Sequence, residues 1–288
     1  AIERLLTQLF HLRAFDWLDP VFDRAFAKIR VSQSNMAILA AALVVFLVVL
    51  PVGLLEIFLQ DRLMHVPQFL FAVVVLLFCL GPRDLAETVS DYRQAADAGD
   101  ISTANQVAAE LLEHDPGSDS LADVEEAIYA QANNRIFGVV FWFVLLGPTG
   151  AWLFRVLDLM QRRAVEFSQT HDPSANEDNA PWPRVVAAAI LLHRVFAWVP
   201  GHLLAGGYIL GGSFDGAAEA WRNMDKQDST LFPGPTDQLL GAVGCGACAS
   251  DIQTASERAG AAMAQVERTL WFVWLPILAL MTLYDFLS

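Results

Sequence analysis

Nineteen consecutive residues, Ala37 to Leu55, carry no charge, and the run ends at Glu56. A helix needs about 20 mostly apolar residues to cross a hydrocarbon core. Lipid also tolerates only backbone whose N–H and C=O groups bond internally. Such a run constrains the chain to a helical membrane fold. Val66 to Pro82 is a second uncharged run, and the short Gln60–His65 connection joins the two as a helical hairpin. Thr269–Tyr284 is a third candidate, with Trp271, Trp274 and Tyr284 placed as interface anchors. Composition agrees, since 17% of residues are charged where a soluble domain carries about 25%. With 32 acidic against 18 basic residues, binding to a nucleic-acid backbone is not expected. The sequence predicts an all-α, polytopic helical membrane protein with three to five transmembrane or re-entrant segments.

Two more apolar stretches are interrupted. Ile136–Phe154 contains Gly147-Pro148-Thr149-Gly150, and Val185–Phe214 contains Val199-Pro200-Gly201 together with His193, Arg194 and His202. Irregular backbone at membrane depth must be buried in protein or line a wet cavity. Each stretch reads either as a kinked span or as a re-entrant hairpin. Positive charge helps to choose. Arg4, Arg13, Arg24, Lys28 and Arg30 precede the first run, whereas the first hairpin loop holds only Arg62. The N-terminus is therefore expected in the cytoplasm, and the chain returns there at Arg83. A full crossing by Ile136–Phe154 would put Arg155, Arg162 and Arg163 outside. A re-entrant one keeps them inside, which favours three full spans with two re-entrant or tilted segments.

The polar pieces read as short helices. Residues 1–36 form two amphipathic interfacial helices, the second opening at Asp19-Pro20. Residues 37–82 are the hairpin, and 83–135 hold 12 acidic residues on cytoplasmic helices. Residues 136–214 are the broken segments, with a polar loop at 155–184; 215–268 are again cytoplasmic, and 269–288 the last span. Asp84, Glu87 and Asp91 share one helix face, which suits a solvated surface better than a Mg²⁺ site. No cleavable signal peptide is expected, because the first charge-free run begins only at Ala37.

Chemical motifs are sparse. Cys245 and Cys248 form a lone CxxC without a second ligand pair, and Cys79 lies in an apolar run. No phosphate loop, catalytic triad, metal site or cofactor site is expected, and no catalytic residue is assigned. The candidates for ligand binding are polar groups placed in or against the membrane: Arg83, Asp84, Arg155, Asp158, His193, Arg194 and His202. Glu56 and Arg155 lie where snorkelling at a helix end would account for them. His193-Arg194 has apolar sequence on both sides and is harder to explain that way.

Several stretches in combination resemble the AmpE family. They are Leu80-Gly81-Pro82-Arg83-Asp84-Leu85, Asn133-Asn134-Arg135, Phe141-Trp142-Phe143, Leu146-Gly147-Pro148, Phe154-Arg155, Trp198-Val199-Pro200, Gly212-Ser213-Phe214-Asp215 and Ala220-Trp221-Arg222. That resemblance implies an inner-membrane regulatory signalling modulator linked to β-lactamase induction, and not an enzyme. The AmpE family is in turn similar to the cobinamide-phosphate synthases, membrane enzymes that use ATP and Mg²⁺ to form an amide. The synthases carry Glu-Asn followed by Asp where this chain reads Ala130-Gln131-Ala132-Asn133-Asn134. Their Asn-Thr-Leu-Asp-Ser-Met is shortened to Val156-Leu157-Asp158-Leu159-Met160, and their Gly-Arg-Asp-Thr is replaced by Leu112-Glu113-His114-Asp115. Pro200-Gly201-His202 stands where AmpE members are expected to read Pro-Ala-Arg. The reading is a non-catalytic modulator that senses or relays cell-wall or β-lactam stress. The alternatives are an accessory subunit of a larger membrane complex and a diverged ATP-dependent amide ligase. The partners expected are the bilayer and a membrane protein.

Overall fold

The computed structural model describes residues 15, 17–29, 34–60, 65–80, 84–112, 120–170, 182–227, 236–248, 254–277 and 279. The first interfacial helix, Arg83, residues 113–119 and the end of the last apolar run (278 and 280–284) lie outside the described residues. Those described are helical, with no strand among them. The helices are α1 Asp19–Lys28, α2 Ser34–Gln60, α3 His65–Cys79, α4 Leu85–Asp97, α5 Ile101–Leu112 and α6 Ser120–Ala132. A π-helical turn, Asn133–Phe137, leads into α7 Gly138–Thr170. Then come α8 Trp182–Gly211, α9 Phe214–Gln227, α10 Thr236–Ala247, α11 Ala255–Arg268 and a second π-helical turn, Thr269–Trp274. Stretches long and apolar enough to cross a membrane are Ser34–Leu59, Val124–Ser168 and Arg184–Gly211. The expected span at Val66–Pro82 is shorter: α3 has 15 residues, about 22 Å of helix against a core of about 30 Å.

The chain forms two compact units, one of residues 1–82 with 138–197 and one of residues 83–137 with 198–288. In the first, α1, α2 and α3 each pack on α7. Phe22, Phe26, Val45, Cys79, Phe154 and Met160 belong to its core. Helix α1 begins at Asp19 with Leu18 as its cap, one residue from the expected cap, a shift within the usual blur of helix ends.

Within α7 the backbone breaks at Gly147, with φ 69° and ψ −160°, a region open in practice only to glycine. Residues eight apart in a straight helix are separated by about 12 Å along its axis. Here a methyl built on Gly150 would lie 2.3 Å from the Trp142 carbonyl oxygen. Arm 138–146 and arm 148–170 therefore fold back on each other. Helix α8, by contrast, runs on through Pro200. Proline lacks the N–H that would bond the carbonyl four residues earlier, which is that of Phe196. The Trp142 indole Nε1–H donates to that carbonyl at 3.1 Å, so the tryptophan satisfies the group that the proline releases.

In the second unit α10 packs on α6 and α9, and α11 on α4 and α6. The Gly/Ala-rich stretch around the CxxC is helix α10. Its glycines permit close approach: a methyl on Gly241 would lie 2.8 Å from Glu126 Cβ, and one on Gly244 2.3 Å from the Tyr129 ring. Tertiary packing overrides the poor helix propensity of glycine here.

Candidate functional site

Arm 148–170 carries Arg155, Asp158 and Arg162 at i, i+3 and i+7, one face of a helix. Asp158 is 2% exposed and Arg155 6%. The Asp158 carboxylate takes Arg155 Nη1 at 2.8 Å on one oxygen and Arg162 Nε at 3.1 Å on the other. Arg155 also lies over the Phe15 ring, 5.3 Å from its centroid. Phe15, at φ 61°, packs edge-on to Phe78 with centroids 4.9 Å apart. From α8, His193 is buried and faces Asp158 electrostatically, its ring 5.6 Å from Phe154. Its Nε2 has no hydrogen-bond partner among the described residues.

The depth of this cluster follows from the pairing of arm 148–170 with α2. The Glu56 carboxylate accepts from the Thr149 hydroxyl and, at 3.1 Å, from the Thr149 backbone N–H. Trp152 Nε1 donates to the Val48 carbonyl at 3.2 Å. The two run antiparallel, so Arg155 and Asp158 lie beyond Trp152 toward the start of α2, with Arg155 close to Phe15 and to Cys79 at the end of α3. Ionised side chains at that depth are costly unless paired. Glu56 does not snorkel: it caps the start of the returning arm, where the helix dipole favours a carboxylate. Arg155 likewise points into protein. At the far end of the arm Arg163 grips Asp23 of α1 through two bonds of 2.7 Å, a fork geometry that fixes orientation.

Of the sequence candidates, the structure brings Arg155, Asp158 and His193 together and adds Arg162. Arg194 is exposed on α8. Asp84 is exposed and caps α4, accepting from the Ala86 N–H at 3.3 Å. His202 lies in the second unit. Its Nδ1 meets the Trp198 carbonyl at 2.7 Å, and its ring sits 4.4 Å from Trp198 and 5.6 Å from Trp221.

Sequence reasoning missed the polar residues around the first π-helical turn as a candidate group. Asn133, Asn134 and Arg135 are buried there, with Gln131 one turn earlier. Gln131 donates to the Leu111 carbonyl at 3.1 Å and accepts from Arg135 Nε at 2.9 Å. Asn134 reaches Asp237 at 3.4 Å. The signal was a run of amides heading a long apolar stretch. Among the described residues no three His, Cys, Asp or Glu side chains converge as a metal would require. What the first unit does build is a charge-paired cluster of two guanidiniums and one carboxylate with an imidazole beside it.

Long apolar helices, a helix break clamped by an intramembrane carboxylate and a buried ionic cluster define a polytopic, all-helical membrane protein. Compared with known families, residues 1–287 match the model described as "Regulatory signalling modulator protein AmpE". The chain belongs to the AmpE family. It is also similar to the cobalamin biosynthesis protein CobD of Chromobacterium violaceum, 26% identical over 185 residues, which is 62% of this chain and 54% of the relative. The CobD of Stutzerimonas stutzeri is 27% identical over 183 residues, 62% of this chain and 55% of that one. The chain spans about half the length of these curated relatives. No solved structure matches it.

Proposed function

We propose that this protein is a non-catalytic signalling modulator of the bacterial inner membrane that senses or relays cell-wall or β-lactam stress, its N-terminus and main polar segments cytoplasmic. The observation that carries the reading is the state of Asp158: both carboxylate oxygens are held by arginines inside the protein. A ligase of the ATP-dependent type needs carboxylates and amides that face a nucleotide and its cation. Here the buried carboxylate serves its own helix and the acidic face of α4 looks outward. Such a cluster can respond to a bound anion or a change in packing by exchanging partners, which is what a relay needs. The return of arm 148–170 toward α1 supports the cytoplasmic assignment, because it gathers Arg162, Arg163 and Arg24 on one side of the first unit.

The test is β-lactamase induction by a sub-inhibitory β-lactam in a strain lacking this chain. Wild type restores the inducible response, whereas Asp158→Asn, inserted in the membrane at the same level, does not. The similarity to CobD favours the diverged ligase as the second reading. Saturable Mg·ATP binding by the purified protein, lost in Asp158→Asn, would establish it and overturn the first.

A further inference from the structure

In the second unit a pocket of about 330 Å³ is shared by the end of α4, the first turn of α5 and the start of α11. Thr254, Ala255 and Ser256 bring the start of α11 to it, and Tyr92, Ala96 and Asp97 the end of α4. A helix start leaves N–H groups without intrahelical partners. In α11 Thr254 takes the Glu257 N–H at 3.3 Å through its hydroxyl and the Arg258 N–H through its carbonyl. The N–H groups of Ala255 and Ser256 are left over. The start of α5 has no such surplus. Gly99 and Asp100 carbonyls take the N–H groups of Ile101 and Ala104, and the Asp100 carboxylate takes those of Ser102 and Thr103.

Two buried side chains add to that surplus. Tyr92 is 2% exposed and Ser256 5%, both line the pocket, and neither hydroxyl has a hydrogen-bond partner among the described residues. Leaving such groups unmatched is costly. Arg258, one turn beyond Thr254, stands close enough to act on the Tyr92 phenol, and its Nε is buried without a partner. Hydroxyls, free N–H groups and the positive end of the α11 dipole together suit the two oxygens of a carboxylate. The end of α4 has the opposite sign. Asp97 is, among the described residues, the charged side chain of the lining, and the dipole of α4 also favours a cation there. A phosphate would be repelled by that carboxylate, whereas an ammonium would pair with it. Ala96, Ala104 and Ala108 make the rest of the wall apolar. We propose that this pocket binds a free α-amino acid with an apolar side chain, its carboxylate at the start of α11 and its ammonium at Asp97. The assignment does not rest on the signalling role.

Calorimetric titration of the full chain in mild detergent with L-leucine tests this. Wild type binds leucine saturably. Leucinamide, which lacks the carboxylate, and 4-methylpentanoate, which lacks the ammonium, each bind at least about tenfold more weakly. Inorganic phosphate gives no saturable heat. Ser256→Ala and Asp97→Asn each weaken leucine about tenfold, the loss of one hydrogen bond to a charged group. Ala104→Trp, which fills the pocket, abolishes binding. Circular dichroism and size exclusion check that each variant is folded, and the exposed position of Asp97 keeps one variant clear of the core. Wild type without saturable leucine binding overturns the proposal. So does either analogue binding as tightly as leucine, phosphate binding in its place, or unchanged affinity in both Ser256→Ala and Asp97→Asn.

Discussion

The two units bury polar groups in opposite ways. The first takes full charges into its interior and closes them against each other: Asp158 between Arg155 and Arg162, Glu56 on the start of arm 148–170. The second buries mainly amides, hydroxyls and aromatic phenols, among them Asn133, Asn134, Gln265 and the edge-on pair Tyr129–Tyr208. Glu125 is buried there too, and the buried Arg135 is bonded to the Gln131 side-chain oxygen and the Glu110 carbonyl. It gains contact by removing side chains, so that the backbones of Gly216 and Gly246 nearly touch. Buried charge is expensive whatever its surroundings and is strongly destabilising when one partner is lost. Neutral amides and close-packed glycines tolerate partial loss. The first unit should therefore fail by losing a counter-charge, and the second by gaining volume.

The largest effect expected is at Asp158. Asp158→Ala leaves two arginines facing each other without their carboxylate, at a cost of about 3–5 kcal/mol, read as a lower thermal midpoint in detergent. The added replacement of Arg155 by Met should recover much of that loss, because it removes one of the two like charges left facing each other. No recovery would mean that the cluster is held by packing and not by charge. In the second unit Gly244→Val drives two methyls into the Tyr129 ring, about 1–3 kcal/mol of overpacking. An unchanged midpoint there would show that α10 can slide away from α6, and the contrast between the units would soften.

Trp142→Phe keeps an aromatic ring but withdraws the N–H from the Phe196 carbonyl. Leaving that acceptor unmatched should cost about 1–3 kcal/mol, toward the lower end because the pair is only partly buried. A second substitution, Pro200→Ala, supplies the missing helix N–H and should cancel most of the loss. If the double variant is no more stable than Trp142→Phe alone, the carbonyl was never short of a donor.

How much of this could be read from sequence depends on the distance over which each cause acts. The helical membrane class and the apolar runs follow from local composition, as does the conformational break in Gly147-Pro148. The route of the chain after that break does not, because it is set by Gly150 meeting Trp142 and by Glu56 meeting Thr149, 93 residues apart. Of the candidate ligand residues, Arg155 and Asp158 were legible as ionisable groups against an apolar stretch. Arg162 was only another arginine near a membrane end until the structure placed it on Asp158. His202 drew attention for being ionisable in an apolar stretch, yet its neighbours are the two tryptophans that frame it. The glycines of α10 are poor helix formers by local propensity, and their cause is a facing helix that propensity does not see.

The smallest effect expected separates the units by chemistry. Cys245 lies on α10, outside the long apolar helices, and burial pushes its thiol well above the usual range, with Glu125 and Glu126 adding to the rise. The thiolate is the reactive form, so at pH 8 Cys245 should be alkylated more slowly than the same residue in urea-unfolded chain. Glu126→Gln should speed it modestly. The sign for stability follows. As pH rises through the ordinary thiol range, the unfolded chain loses a proton that the native chain keeps, so native stability falls above that range and is intact below it. Replacing Cys245 by Ala should flatten this alkaline decline. A decline that persists would assign it to the buried tyrosines, and an alkylation rate equal to that of the unfolded chain would mean that α10 opens freely, contrary to the close glycine packing that holds it to α6.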